Sequence, residues 1–169
     1  MAIGDLSYRA SAGLTVTNLA GIASSATWVV GWTSGTIDNT SDLDLDKLIS
    51  ASFTVASAGL AAGEIRVYVY AMLDDSTWPD IFSAGTEGTE GTATLHDTEL
   101  RDASIIPLWS CVTDTTASRI YTMPKQSIAA RFGGFVPPKC ALFVAQSTST
   151  TLETTGQAVV VVGVKLLTA

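Results

Sequence analysis

"EIRVYVYAML" (residues 64–73) decides the fold class. On an extended chain Ile65, Val67, Val69 and Ala71 fall on one side, and Arg66, Tyr68, Tyr70 and Met72 on the other. β-Branched and aromatic residues at a period of two fit a strand, whereas the same order would scatter them around a helix. The texture recurs upstream. "LTVTN" (14–18) alternates apolar and hydroxyl residues, and "TWVVGWT" (27–33) puts Trp28, Val30 and Trp32 on one face. In "DLDLDKLISASFTVAS" (42–57) one phase runs from Leu43 and Leu45 through Ile49, Ala51, Phe53 and Val55. It holds across Lys47, which predicts a long strand bent or bulged near that residue. Asp42, Asp44 and Asp46 would then line the wet face of an edge strand, where carboxylates discourage unwanted pairing.

Downstream lie "SIIPLWSCVT" (104–113), "RIYTM" (119–123), "KCALFVAQS" (139–147) and "QAVVVVGVKLL" (157–167). Pro107 places the first of these on a sheet edge or at a bulge. The runs lack intervening helices long enough for parallel crossovers. The expectation is therefore all-β: a single antiparallel β-sandwich of jelly-roll or related Greek-key type, with about eight strands. "PKQSIAARFGG" (124–134) is the one helical signal, with Pro124 at its start, Ser127 as a cap and Gly133 at its end, and it predicts a short helix over 125–132. Residues 27–169 form the sandwich domain. Residues 1–26 are Ser/Ala/Gly-rich with isolated Leu6, Tyr8, Leu14 and Leu19, and read as an arm that orders against a neighbour or as a first strand with its lead-in.

Composition narrows the function classes. Hydrophobic residues make up 47% of the chain and charged ones 15%, which fits a globular domain whose weakly charged surface is mostly in contact with other protein. With a net charge of −7 and nine scattered basic residues, direct binding to nucleic acid is not expected. The N-terminus has no basic region leading into an unbroken apolar one, so no signal peptide is expected. No apolar run approaches membrane-spanning length, and no membrane partner is expected. Cys111 and Cys140 sit inside apolar runs, as two buried thiols in a reducing cytoplasm or as a disulfide between neighbouring strands.

"STWPDIFSAGTEGTEGTATLHDTELRD" (76–102) interrupts the strand pattern. It holds the only histidine and many of the acids. His96 and Asp97 are adjacent and on an extended chain point opposite ways, so they do not form a base and its orienter. No Gly-x-Ser-x-Gly elbow supplies a nucleophile. The acids number enough for calcium, but their spacing matches neither an EF-hand loop nor a nonapeptide repeat. Two facing carboxylates of a glycosidase need not be close in sequence, yet the aromatic cleft that usually accompanies them is not evident. Neither a cofactor, a metal site nor an enzymatic activity is expected. Trp78, Ile81 and Phe82 place three large apolar groups in this polar segment. They either staple it onto the sandwich or contact another subunit, and an exposed loop tryptophan also suits sugar stacking.

The segments "TWPDIFSAGTEGTEGTATLHDTELRD" and "IAARFGGFVPPKCALFVAQSTSTTL" resemble tailed-bacteriophage capsid cement, or decoration, proteins of the jelly-roll kind. The likeness spans most of the chain after about residue 25. It implies a structural virion protein, made in the host cytoplasm, that sits on the outer capsid surface and clamps neighbouring subunits of the major capsid protein. Self-association as a homodimer or homotrimer goes with that role. Leu6, Tyr8, Trp78, Ile81 and Phe82 are the expected partner contacts. The alternative is a carbohydrate- or receptor-binding β-sandwich module of a phage tail.

Overall fold

The computed structural model describes residues 5–166. Its strands are β1 (Leu6–Tyr8), β2 (Ala12–Gly13), β3 (Val30–Thr33), β4 (Ile37–Asp38), β5 (Asp46–Thr54) and β6 (Gly63–Ala71). They continue as β7 (Gly91–Thr94), β8 (Ile106–Thr113), β9 (Ile120–Ser127), β10 (Lys139–Gln146) and β11 (Ala158–Leu166), with one α-helix, α1 (Thr98–Ser104). All pairings are antiparallel. One sheet runs β1-β11-β5-β9, with β2 also on β11; the other runs β7-β3-β10-β6-β8, with β4 also on β10. From β5 onward every step changes sheet except the passage from β6 through β7 to β8. Leaving aside β2, β4 and β7, four strands, three of them long, are thus interleaved in each layer, the jelly-roll arrangement.

The inner faces of β5 and β6 lie where alternation said they would. Ile49 and Phe53 from β5, Ile65, Val67 and Val69 from β6, Leu142 and Val144 from β10 and Val159 from β11 are buried together. Phe53 stacks on Trp109 with ring centroids 6.0 Å apart. Pro107 lies on the edge strand β8, beside a register irregularity against Val67 and Tyr68. A residue without an N–H is tolerated there because the ladder is already broken. Leu19 and Ile22 are also buried in this core, so the residues ahead of β3 pack on their own sandwich.

Several expectations change. The α-helix is at 98–104, where Asp97 accepts the Leu100 N–H at 2.7 Å as its N-cap. In place of the predicted helix over 125–132, residues 125–127 close strand β9 and Ala129–Arg131 form a 3₁₀ turn, in which the Ala130 N–H donates to Ser127 Oγ. Residues 14–18 are not a strand, because pairing with β11 stops at Gly13 and the chain turns at Val16–Leu19. Trp28 does not share a face with Trp32; it sits in a turn with φ of 53°, its N–H bonded to Ser25, and Arg66 covers its ring. β5 lies between β11 and β9 and is no edge strand. Leu43 and Leu45 are exposed and Asp44 is buried, the reverse of the expected phase. Only from Lys47 onward does the alternation hold.

Candidate interaction surfaces

The outward face of β6 carries Tyr68 and Tyr70, and both are buried. Their cover is the polar stretch itself. It doubles back across the six-stranded sheet, adds β7 to its edge and lays Trp78, Ile81 and Phe82 over the tyrosines. The Tyr70 ring meets Trp78 edge-on at 5.4 Å and Phe82 edge-on at 5.5 Å, and Phe82 reaches Phe143 at 5.4 Å. A second small core results, outside the sandwich proper.

The stretch's glycines and acids hold this lid from within. Gly88 has φ of 69°, and a Cβ there would stand 2.4 Å from the Trp78 ring. Its N–H donates to the Tyr70 hydroxyl, which also pairs with Thr33 Oγ1 at 2.5 Å. Burial pushes that phenol up to about 12, so it stays neutral. Glu87 accepts the N–H groups of Ile81 and Phe82 at 3.0 and 2.7 Å. Glu90 accepts the Trp32 indole N–H at 2.8 Å and two donors of Asn18. Burial opposes ionisation of Glu90, but those donors outweigh it and hold the carboxyl below its ordinary range. His96 faces Asp80 at 3.4 Å while Asp97 caps α1, so the two neighbours serve different partners. Among the described residues no group of three His, Cys, Asp or Glu stands together to hold a metal ion.

Ile81 and Phe82 are each 1% exposed. Their expected role as partner contacts is thereby corrected: they staple the segment to its own sheet, since the tyrosine face offers apolar surface within reach. Trp78 is half-buried in the same seam. Leu6 and Tyr8 do face solvent, at 62% and 65% exposure. They pair with Leu166 and Val164 across β1 and β11, and opposite residues of an antiparallel pair share a face. Val164 and Val162 on the same side of β11 are themselves buried, so the exposed apolar strip consists of Leu6, Tyr8 and Leu166. Leu166 in this strip is 45% exposed, and the sequence reading missed it because it closes a continuous apolar run.

A buried ion-pair cluster closes the same end of the sheet. Asp44, whose side chain is fully buried, meets Arg9 Nε at 2.6 Å and Lys47 Nζ at 2.8 Å. Asp42 takes Lys47 at 2.7 Å. Gly163 makes the room, because a Cβ there would fall 2.1 Å from Asp44 Oδ2. Burial works against the Lys47 ammonium, yet the two carboxylates outweigh it and raise its pKa. The hydrogen bond and charge of Lys47 hold the Asp42 carboxyl below its ordinary range. A carboxylate depressed in the fold stabilises it above the unfolded pKa of about 4, and that contribution is lost as pH falls through the lower folded value. Asp42, Glu90, Asp74 and Asp114 all act in this direction. The expected result is an unfolding midpoint that drops as buffer is acidified below about pH 4, followed by circular dichroism.

Cys111 and Cys140 are free. They lie at opposite ends of β6, against Ile65 and Ala71, and burial raises the thiols to about 11 and about 12. Compared with known proteins, the chain matches no protein family and no curated protein.

Proposed function

We propose that the chain is a structural virion protein that binds the outside of a tailed-phage capsid and clamps neighbouring major capsid subunits. The observation that carries this reading is the apolar strip of Leu6, Tyr8 and Leu166. It lies on the outer face of a sandwich whose other long apolar segment is folded away beneath its own lid. The likeness of residues 77–102 and 128–152 to cement proteins supports it further. In this role the protein acts by contact and uses no cofactor. Each copy bridges two or more capsid subunits, so a small contact gains from the high effective concentration of its second site. With a net charge of −7, its capsid partner presents basic residues at the rim, and docking weakens as salt rises.

The test adds purified protein to particles or shells that lack it and counts bound copies. Hundreds per particle are expected; a handful would favour the tail module that binds sugar or receptor. Replacing Leu6 and Tyr8 together by Ser is expected to lower affinity about 10-fold or more, because part of the 1.5–3 kcal/mol that each buried side chain contributes is lost. Unchanged occupancy across a salt titration would overturn this contact. Removing residues 1–12 is a poorer probe, since it also takes Arg9 away from Asp44.

A further inference from the structure

A concavity of about 390 Å³ opens on the outer side of the six-stranded sheet, between β6 and β8, and no residue of the lid lines it. That volume is in the range of small-molecule sites. The concavity lies at a slip in the ladder. Val67 faces Trp109 and Tyr68 faces Pro107, so Leu108 is an extra residue with no partner on β6. Its carbonyl accepts Arg131 Nη2 at 3.0 Å, which brings a side chain from the β9–β10 connection into the wall.

The polar groups of this wall are held in place. Arg66 Nε and Nη2 both donate to Glu64 Oε2, at 2.9 and 2.7 Å. The guanidinium carbon stands 3.7 Å from the centroid of the Trp28 ring, and Nη1 takes no part in the pairing. Trp28 holds a positive φ of 53°, and backbone strain of this kind collects around binding sites. The hydrogen bond from Arg66 holds the Glu64 carboxyl below its ordinary range, so at neutral pH it only accepts. Ser110, opposite Arg66 on β8, adds a hydroxyl. Arg131 differs from the other arginines, because among the described residues it alone meets no carboxylate. Two guanidinium groups against one carboxylate leave the cavity one positive charge in excess, on a chain whose net charge is −7.

We propose that this cavity binds a small monoanionic hydroxy-carboxylate, its acid group on Arg131 and Arg66 and its hydroxyls on Glu64 and Ser110. A guanidinium presents parallel N–H donors at the spacing of carboxylate oxygens. One excess charge matches one carboxylate better than a doubly charged phosphate, which Glu64 would repel more strongly. Glu64 accepts and does not donate, so it favours a ligand that brings hydroxyl donors over a bare anion. A free hydroxy acid and the uronic-acid unit of a saccharide share this chemistry. The cavity is on the opposite sheet from Leu6, Tyr8 and Leu166, so it goes beyond the capsid reading and stands or falls apart from it.

Titration of the isotope-labelled full chain, followed by backbone amide NMR, tests it with gluconate as the free acid and glucuronate as the sugar acid. Glucose supplies hydroxyls without the charge, and acetate the charge without the hydroxyls. At least one of the two acids is expected to bind with a Kd of about 1 mM, the strength of about a dozen heavy atoms at ordinary efficiency. Glucose and acetate are each expected to bind about 10-fold or more weakly, having lost one set of hydrogen bonds. The shifted amides are expected to gather at residues 64–68, 107–110 and 131. Arg131→Gln, at an exposed position, is expected to keep the parent circular dichroism and to lose about 10-fold or more in affinity. Binding of gluconate alone assigns the cavity to free hydroxy acids, and of glucuronate alone to saccharides; either supports the proposal. Binding of neither acid up to about 50 mM overturns it. So does glucose or acetate binding as tightly as the acids, acetate then marking an adventitious ion only, or an Arg131→Gln protein with the parent affinity.

Discussion

Phe82→Ala is expected to destabilise the protein by about 3–5 kcal/mol, the range for removing a buried aromatic side chain. The ring is 1% exposed and lies between Tyr70 and Phe143 at about the separations that favour aromatic pairs. Truncation would leave a void between lid and sheet that neither can close. Glu87 holds the Phe82 N–H and Gly88 holds the Tyr70 hydroxyl, while β7 is already paired to β3. For a chain of this size the loss corresponds to a fall of roughly 6–20 °C in the unfolding midpoint. Denaturant and thermal unfolding both measure it. Trp78→Ala removes a half-buried ring from the rim of the same seam, so a smaller loss is expected there. A Phe82→Ala protein as stable as the parent would return Phe82 to a partner-facing role.

The second large effect is at the buried ion cluster. Asp44→Ala is expected to cost about 3–5 kcal/mol, because it takes the one fully buried carboxylate from the buried Lys47 ammonium and leaves it only the part-exposed Asp42, which Arg9 must then share. Lys47 is the more costly of the two cations to deprive, with its side chain 5% exposed. Arg9 also loses its tie to the strand pair β1–β11, and Asn39 would lose the ordered loop that presents Asp44 to it. The companion substitution separates the loss of a partner from the worth of the pair. Changing Asp44, Lys47 and Arg9 together to Leu, Met and Met is expected to recover most of the stability, as apolar groups of similar volume need no counter-charge. If the single substitution costs less than about 1 kcal/mol, in the range of an exposed pair, the cluster is solvated and this account of it fails.

The sandwich itself was legible in the residue order. A period of two at Ile65, Val67 and Val69 and at Ile49, Phe53 and Val55 states which side of β6 and β5 meets the core, since alternation is a property of the extended backbone alone, whereas β10 and β11 are continuous apolar runs that mark no side. Strands too short to show a period, such as β1, β2 and β4, left no such mark. The helix at 98–104 left only a faint one, in Asp97 ahead of Thr98 and Glu99, because it buries none of its residues and so needs no apolar stripe.

What the sequence determined by itself was therefore the fold class, the main core and the face that β5 and β6 turn to it. What the tertiary structure alone decided was the fate of the segments that break the pattern. Tyr68 and Tyr70 occupy a face that alternation marks as outward, and they are buried because residues about ten to twenty-five positions later return to cover them. Asp44 stands where its neighbours mark solvent, and it is buried because Arg9, just past β1, reaches it from across the sheet and joins Lys47 on the adjoining β5. Ile81 and Phe82 could have faced a partner until the tyrosine face came within reach. In each case burial depends on surfaces distant in the chain, and local periodicity carries no record of them.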